Sequence, residues 1–308
     1  MAVNWIEGIM RSIDYVEDHL ADGIDYAEAA ARSYSSPYHF QRVFSILCGF
    51  TLGEYIRCRR LTLAGAELAG GDAKVIDVAL KYGYDSPDSF AKAFQKFHGI
   101  TPSEARRKGS MLRSYSRLSV KISLEGGNIM DYRIENKEAF RLLGFKRRFS
   151  GTPGEPPETR AKKEADFFTS TRCGQFLLAG MAKDSDTQYG ILGNFGEDGY
   201  DFWIAGKVPE DLIDVYRSPE YVGDQIADLL GLEPVEIPAG LWLVCETERC
   251  QYPTDKFLFL RQEAVTNWLP DSGYELREGP EIEVAHWYDD DRYLERYIEI
   301  WLPIRKKE

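Results

Sequence analysis

The chain has 308 residues, 44% of them apolar and 13% aromatic, which is enough for two domains with cores of their own. No run of about 18 uncharged apolar residues occurs, which excludes a transmembrane helix, and acids interrupt the N-terminal stretch where a signal peptide would be apolar. The five cysteines and four histidines lack the spacing of a zinc site. We therefore expect a cytoplasmic protein without a metal or cofactor.

The formal net charge of −12 is unevenly distributed. Residues 1–125 carry 16 Lys and Arg against 15 Asp and Glu, whereas residues 126–308 carry 22 against 35. The bases of the first part concentrate in Arg57–Arg60 and Arg106–Lys121. This division predicts two chemically different modules, of which the first can offer local basic patches to an anionic partner.

The N-terminal part predicts a helix from Trp5 to about Leu20, because its apolar residues recur at steps of three and four. A helix–turn–helix pattern follows. Tyr26–Arg32 predicts a short Ala-rich helix, Ser35 is a suitable N-cap after the turn, and Pro37 lies in the first turn of the next helix. That second helix predicts an apolar face composed of Phe40, Val43, Phe44 and Leu47.

The pattern recurs about fifty residues later. Val75–Lys81 predicts a first helix and SPDSFAKAFQKFHG a second one, and SPYHFQRVF aligns with SPDSFAKAF without a gap. A long helix, Gly53–Leu68, joins the two units. A helix on a short turn can project its N-terminal half into the DNA major groove, and tandem units can reach successive grooves about 34 Å apart. The sequence therefore predicts an all-α domain over residues 1–108 with two helix-turn-helix units.

A family resemblance strengthens the DNA hypothesis. The segments GEYIRCRRLTLAGAEL and KVIDVALKYGYDSPDSFAKAFQKFHGITPSEAR place Ile9–Lys108 close to the AraC/XylS-type DNA-binding domain. The resemblance implies a transcription regulator, associated with the nucleoid, whose partners are double-stranded DNA and RNA polymerase. Because tandem units let one chain bind an asymmetric site, we expect a monomer or a weak dimer.

The resemblance also implies base-reading residues at the start of each second helix. They are Tyr38, Gln41 and Arg42 in the first unit, and Pro87, Asp88, Ala91 and Lys92 in the second. Gln can pair with adenine and Arg with guanine, whereas Asp88 only accepts hydrogen bonds, so the first unit is expected to be the main reader. Arg57, Arg59 and Arg106 are expected phosphate contacts.

Residues 109–128 are expected to form a linker, and residues 129–308 an α+β domain. In this domain a strand–helix–strand–strand order occurs twice, which predicts two pseudo-symmetric units that share one curved sheet with helices on one face. The predicted segments of the first copy are Phe140–Phe149, Pro157–Arg172, Gln175–Lys183 and Tyr200–Val208, and those of the second are Gly240–Thr247, Thr254–Leu269, Glu281–Tyr288 and Tyr297–Pro303.

The phrases MDYRIENKEAFRLLGF, WLPDSGYELREGPEIE and YIEIWLPI resemble GyrI-like effector-binding domains. The resemblance implies a ligand groove between the two units and a buried Glu on the last strand, which matches Glu299. A carboxylate among apolar neighbours needs a cation or a donor, and a ligand cation held between aromatic rings would supply one. The expected aromatic walls are Tyr200, Trp203, Trp242, Trp268, Trp287 and Tyr288.

The whole sequence thus predicts a multi-domain transcription regulator that responds to a small, hydrophobic and often cationic effector. Two alternatives remain open. In one, the second domain hydrolyses small electrophiles with Glu299 and Tyr288 or Tyr297 as an acid–base pair. In the other, it is a protein-interaction module that binds no ligand.

Overall fold

A computed structural model describes residues 5–119, 130–150, 157–182, 184–196, 199–217, 231–288 and 290–307. The chain divides into two compact units, residues 1–126 with 151–157 and residues 127–150 with 158–308. We call them the helical domain and the sheet domain. None of the helices within these described ranges is long and apolar enough to cross a membrane.

The helical domain contains the two predicted helix-turn-helix units. Its helices are α1 (Trp5–Asp18), α2 (Tyr26–Ala31), α3 (Pro37–Cys48), α4 (Leu52–Ala69), α5 (Val75–Lys81), α6 (Pro87–His98) and α7 (Pro102–Ala105). Helices α2 and α3 form the first unit, and α5 and α6 form the second. The all-α prediction with two such units is confirmed.

The repeat extends to the helix caps. Ser36 and Ser86 are the N-caps of α3 and α6, and each hydroxyl accepts a hydrogen bond from the backbone N–H three residues later. The first cap is therefore Ser36 and not the predicted Ser35, because Pro37 takes the first helical position. Gly49 and Gly99 end the two helices at φ 74° and 81°, a left-handed conformation that costs glycine little.

Helix α4 belongs to both units. Its N-terminal part packs into a core with α1, α2 and α3, in which Tyr55 is fully buried. Its C-terminal part packs into a second core with α5, α6 and α7, in which Leu61 is fully buried. A single stiff helix thus sets the spacing of the two units.

Residues 111–119, expected to be linker, pack on the helical domain. The backbone N–H of Tyr115 donates to Thr62 Oγ1 at 2.9 Å, and its carbonyl accepts from Arg59 Nη1 at 2.6 Å. The N–H of Arg113 donates to His98 Nδ1 at 3.2 Å. This segment therefore packs along α4. Residues 120–128 of the expected linker lie outside the described residues.

The sheet domain contains nine strands among its described residues. They are β1 (Tyr132–Lys137), β2 (Phe140–Ser150), β3 (Thr187–Gly196), β4 (Gly199–Gly206), β5 (Leu232–Ile237), β6 (Gly240–Glu246), β7 (Tyr274–Leu276), β8 (Glu281–His286) and β9 (Tyr297–Lys306). All the recorded pairings are antiparallel, in the order β1-β6-β9-β8-β3-β4-β2-β5, with β7 beside the end of β9.

The sheet domain also contains helices, one of which occupies a segment predicted to be a strand. They are α8 (Pro157–Ser170), α9 (Arg172–Met181), α10 (Glu210–Arg217) and α11 (Thr254–Glu263), the last continued by a π turn (Ala264–Trp268) and a 3₁₀ turn (Leu269–Asp271), with another 3₁₀ turn at Asp290–Glu295. The predicted strand at Gln175–Lys183 is wrong, since α9 covers most of it. Its Gln, Leu, Ala and Met residues are good helix formers, whereas the strand itself, β3, begins at Thr187.

The sheet curls until its two ends approach each other. Only residues 138–139 join β1 to β2, although five strands separate them in the sheet order. Across the curl, the rings of Phe140 on β2 and Trp301 on β9 are 6.3 Å apart. Side chains alternate along each strand, so one set encloses an aromatic core inside the curl and the other packs under the helices. We call these the inner face and the helix face.

Candidate nucleic-acid interface and effector site

The first recognition helix, α3, exposes less than its sequence suggests. Tyr38 and Gln41 are half-buried. Arg42 is only 4% exposed, and its Nη1 donates to Ser45 Oγ at 3.1 Å. The guanidinium expected to read guanine is therefore held against its own helix.

The second recognition helix, α6, presents a more open polar side. Asp88 and Lys92 are exposed, and so are Ser89, Gln95 and Lys96. Its apolar side, formed by Phe90, Phe94 and Phe97, is buried. Helix α6 therefore offers DNA more accessible side chains than α3 does.

The arginines expected to contact phosphate differ in their surroundings. Arg106 is exposed and donates to the carbonyl of Gly71 at 3.0 Å, and Arg57 is half-buried. Arg59 is committed to the fold, because its Nε and Nη2 bind the Glu17 carboxylate at 2.9 and 2.8 Å. Burial raises the pKa of Glu17, but hydrogen bonds from Arg59 and Tyr55 outweigh it and leave that pKa below its ordinary value. Arg59 is thus a structural cation.

In the sheet domain, Glu299 lies on the inner face of β9 and is 6% exposed. Its Oε1 accepts from Arg133 Nη2 at 2.8 Å, and its Oε2 accepts from Trp301 Nε1 at 2.6 Å. The Nε2 atom of His286 lies 3.9 Å from Oε1. The buried carboxylate implied by the resemblance is therefore present, and it already has a cationic partner from the same chain.

Arg133 connects three carboxylates on three strands. It binds Glu135 on β1 and Glu246 on β6 as well as Glu299 on β9. Partial burial opposes the positive charge, but the hydrogen bonds from Arg133 to Glu299 and Glu135 raise its pKa above the ordinary value. Sequence reasoning missed this residue. The available signal was the alternation of charged residues in YRIENK, which aims every second side chain of β1 at one face.

The aromatic rings near Glu299 are also covered by cations of the chain. Lys137 Nζ lies 4.0 Å from the ring centroid of Trp301, and the Arg249 guanidinium lies 4.2 Å from that of Tyr297. The other neighbour of Tyr297 is His286, whose ring stacks on it at 4.2 Å. Burial lowers the pKa of His286, although Glu299 acts in the opposite direction. A carboxylate and aromatic faces thus lie together, and both attract cations.

The predicted aromatic walls are only partly brought together. Trp203 and Trp242 belong to the inner core with Trp301, and Tyr288 lies 6.4 Å from His286 between ring centroids. The remaining three lie elsewhere. Tyr200 is three residues from Trp203 and so faces the opposite side of β4, and Trp268 and Trp287 lie outside the strands. Tyr200 binds Glu164 on the helix face, Trp268 stacks on Tyr274, and Trp287 lines a separate cavity of about 520 Å³ beside α9.

The helix face contains a second group of charges. Arg261 of α11 binds Glu281, which is 3% exposed, with Nε 2.8 Å from Oε2. Burial raises the pKa of the neighbouring Glu283 to about 8, although Arg261 partly opposes this. This group lies on the other side of the sheet from Glu299, so a substitution in it can serve as a control for a substitution at Glu299.

Tandem helix-turn-helix units joined to a curled sheet with a buried carboxylate define a DNA-binding transcription regulator coupled to a small-molecule-binding domain. Comparison with known proteins gives the same result. A helix-turn-helix domain model matches residues 29–108, and a model described as GyrI-like small molecule binding domain matches residues 130–305. The chain belongs to the AraC-type regulators through its helical domain and to the GyrI-like family through its sheet domain.

Similar regulators match mainly the helical domain. The HTH-type transcriptional activator AarP of Providencia stuartii is 44% identical over 95 residues, which cover 31% of this chain and 70% of AarP. The regulatory protein SoxS of Salmonella typhimurium is 34% identical over 100 residues, covering 32% of this chain and 94% of SoxS. The transcriptional regulator Rob of the same species is 28% identical over 164 residues, covering 52% of this chain and 55% of Rob.

Two solved structures resemble one domain each. The structure of SAV2435 bound to tetraphenylphosphonium is 14% identical, with a TM-score of 0.40, and covers 57% of this chain and 94% of its own. The DNA-binding domain of AdpA in complex with a target DNA is 27% identical, with a TM-score of 0.30, and covers 32% of this chain and 90% of its own.

Proposed function

We propose that this regulator responds to a small hydrophobic cation that binds at Glu299. The observation that carries the proposal is the buried carboxylate at the edge of an aromatic core, with Trp301 donating to one of its oxygens and a cation to the other. An organic cation with apolar groups satisfies the same oxygen and gains aromatic contact. Because Arg133 holds that position in the free protein, effector binding exchanges one cation for another.

The hydrolase alternative is not favoured by this geometry. Both oxygens of Glu299 accept hydrogen bonds from the chain, from Arg133 and from Trp301. A general base needs a lone pair directed at the proton that it removes, whereas at Glu299 a guanidinium and an indole N–H occupy the two oxygens. A binding role requires only the carboxylate charge and the aromatic surroundings.

Titration of the full chain with tetraphenylphosphonium, followed by calorimetry, tests the proposal. Glu299→Gln should weaken binding at this site at least about tenfold, since the amide offers no charge to the cation. The matched control is Glu281→Gln, which neutralises a buried carboxylate on the helix face and should leave binding unchanged. Equal binding by the unmodified chain and by Glu299→Gln would refute the effector proposal.

We also propose that both recognition helices contact DNA, with α6 contributing at least as much as α3. The exposure of Asp88 and Lys92 supports this, as does the inward position of Arg42. Tyr38 and Gln41 remain the proposed readers on α3. Arg57 and Arg106 remain the proposed phosphate contacts.

DNA sites selected in vitro from a random pool separate these roles. Lys92→Ala should weaken binding to all sequences alike and reduce the salt dependence by about one counter-ion, as expected for a phosphate contact. Gln41→Ala should instead relax preference at one base pair. Unchanged DNA affinity in Lys92→Ala would remove α6 from the proposed interface.

The remaining proposals concern partners and place of action. RNA polymerase is the proposed protein partner, and Ile76 and Leu80, 50% and 60% exposed and four residues apart on α5, are a suitable apolar contact. Co-purification of polymerase with the unmodified chain but not with Ile76→Asp would support this contact. The proposed state on DNA is a monomer in the cytoplasm, because two units on one chain already match two groove segments.

A further inference from the structure

The four central strands of the sheet domain are related by an approximate twofold axis. Trp301 on β9 pairs with Ile282 on β8, which pairs with Ile191 on β3, which pairs with Trp203 on β4. These four residues therefore form one straight row across the sheet. Antiparallel strands alternate in direction, so the axis passes between Ile282 and Ile191 and exchanges the two tryptophans.

The same symmetry relates two buried acids. Glu299 precedes Trp301 by two residues, and Asp201 precedes Trp203 by two, so each acid lies on the inner face beside its tryptophan. Both acids are 6% exposed. The sequence carries the repeat as E-I-W in β9 and D-F-W in β4.

The hydrogen bonds of the two acids follow one scheme. A neutral donor serves one oxygen of each: Trp301 Nε1 binds Glu299, and Asn194 Nδ2 binds Asp201 Oδ2 at 2.8 Å. An arginine serves the other oxygen, and at Asp201 this is Arg148, whose Nη1 lies 3.3 Å from Oδ1. Each acid is therefore bound by one neutral donor and one arginine.

A lysine completes each group. Lys146 Nζ lies 5.3 Å from the ring centroid of Trp203 and 3.4 Å from Asp201 Oδ2, much as Lys137 lies over Trp301. The side chains of Lys146 and Arg148 are 34% and 36% exposed, whereas that of Asp201 is 8% exposed. The cations thus reach the buried acid from the solvent side and can leave it without unfolding the sheet.

We infer that Asp201 and Trp203 form a second cation-binding site, related to the Glu299 site by the twofold axis. It takes the same class of ligand, an organic cation with apolar groups, which replaces Lys146 and Arg148 as Arg133 is replaced at Glu299. The inference rests on the proposed function of the Glu299 site. The cations at Asp201 lie 3.3 and 3.4 Å from its oxygens, against 2.8 Å for Arg133 at Glu299, so their contacts with the acid are longer. Arg148 Nη1 also donates to the carbonyl of Asn194 at 2.7 Å.

Calorimetric titration of the full chain with tetraphenylphosphonium distinguishes one site from two. We expect two bound cations per chain, one of which is lost in Asp201→Asn and the other in Glu299→Gln. A single bound cation that Glu299→Gln abolishes and Asp201→Asn leaves intact would overturn the inference and keep the proposed function. Loss in Asp201→Asn alone would keep the second site and overturn the function proposed for Glu299. An absence of binding would contradict both.

A second pair of variants keeps the test valid if Asp201→Asn fails to fold. Lys146→Gln leaves Asp201 in place and removes a positive charge that competes with the ligand for it. Because a larger fraction of the second sites is then free of a competing cation, binding there should tighten about tenfold. Lys137→Gln, its counterpart, should tighten only the Glu299 site. If Lys146→Gln leaves both affinities unchanged, Asp201 forms only a structural ion pair and the inference is wrong.

Discussion

The two helix-turn-helix units have the same backbone arrangement. They differ in the contacts that stabilise them and in the side chains that they expose. Their second helices are both 12 residues long, start at Pro after a Ser cap and end at a left-handed Gly. The first unit packs against α1 and α4, which are joined by a partly buried ion pair between Glu17 and Arg59. The second is fixed by a buried imidazole, His98, whose Nε2 lies 2.9 Å from the carbonyl oxygen of Leu61. Equal backbones can thus carry unequal anchors and unequal DNA-facing surfaces.

Removal of the ion pair should give the largest effect and should show how far the first unit depends on it. Glu17→Ala leaves the Arg59 guanidinium, 13% exposed, without its carboxylate, so we expect a loss of about 3 kcal/mol in the free energy of unfolding. Urea denaturation of the full chain measures it. Glu28→Ala breaks an exposed i,i+4 pair with Arg32 and should cost at most about 0.5 kcal/mol. Equal losses in the two variants would mean that the Glu17–Arg59 pair does not stabilise the fold more than an exposed pair does.

Substitution of Arg42 sharpens the contrast between the two surfaces. Because the side chain is buried and bound to Ser45, Arg42→Ala should lower the stability by about 2 kcal/mol through lost packing and hydrogen bonding. The exposed Lys92→Ala should change stability little. Thermal unfolding of both variants checks this. A stable Arg42→Ala protein with altered base preference would show instead that Arg42 turns outward on DNA.

The capping boxes allow a smaller and closely matched comparison. Thr51 and Thr101 each cap a helix, and Glu54 and Glu104 complete the boxes. Thr51→Ala should cost about 1 kcal/mol, because the 18-residue α4 that it starts belongs to both cores. Thr101→Ala should cost less, since it starts a helix of four residues. Denaturant midpoints that reverse this order would contradict a central role for α4.

Acid should loosen the second unit more than the first, and we expect this to be the smallest effect. Burial lowers the pKa of His98, so the folded chain binds a proton less readily than the unfolded chain does. The contribution of His98 to stability is therefore present above pH 6.5 and is lost as pH falls below that value. Unfolding curves between pH 7.5 and 5.5 (about two pH units) should show this slope, and His98→Gln should reduce it, leaving the part due to His286, whose pKa burial also lowers. A slope that is unchanged in His98→Gln would assign it to other groups.

The helical domain was largely predictable because its signals are local. Apolar spacing of three and four residues, Ser and Thr caps and terminal glycines place most helix ends within two residues of the observed ones. The burial of polar residues on the recognition helix α3 was not predictable in the same way. Arg42 has the spacing of an outward residue, and only the packing of neighbouring helices turns it inward.

The sheet domain was predictable in its repeat and less so in its strand register. Strand β1 was missed because its charged residues interrupt any apolar pattern, and β5 because it contains a proline and two acids. Helix α9 was taken for a strand. Glu299 was found because one carboxylate in an apolar strand is conspicuous. Its partner Arg133 lies 166 positions away in the chain, and no local pattern links them. The equivalence of Asp201 and Glu299 likewise appears only when the strands are paired.

The exchange of outer strands between the two halves of the sheet has a consequence for synthesis. Strand β1 belongs to the first half in sequence but pairs with β6, and Arg133 meets Glu246 across 113 positions. The sheet therefore cannot close until nearly the whole chain has left the ribosome, whereas the helical domain, built from nearby segments, can fold earlier. A nascent or truncated chain that stops before β6 leaves β1 without its neighbour. Such an open edge favours pairing with another copy, so premature termination should yield aggregates and not a half-sized effector domain.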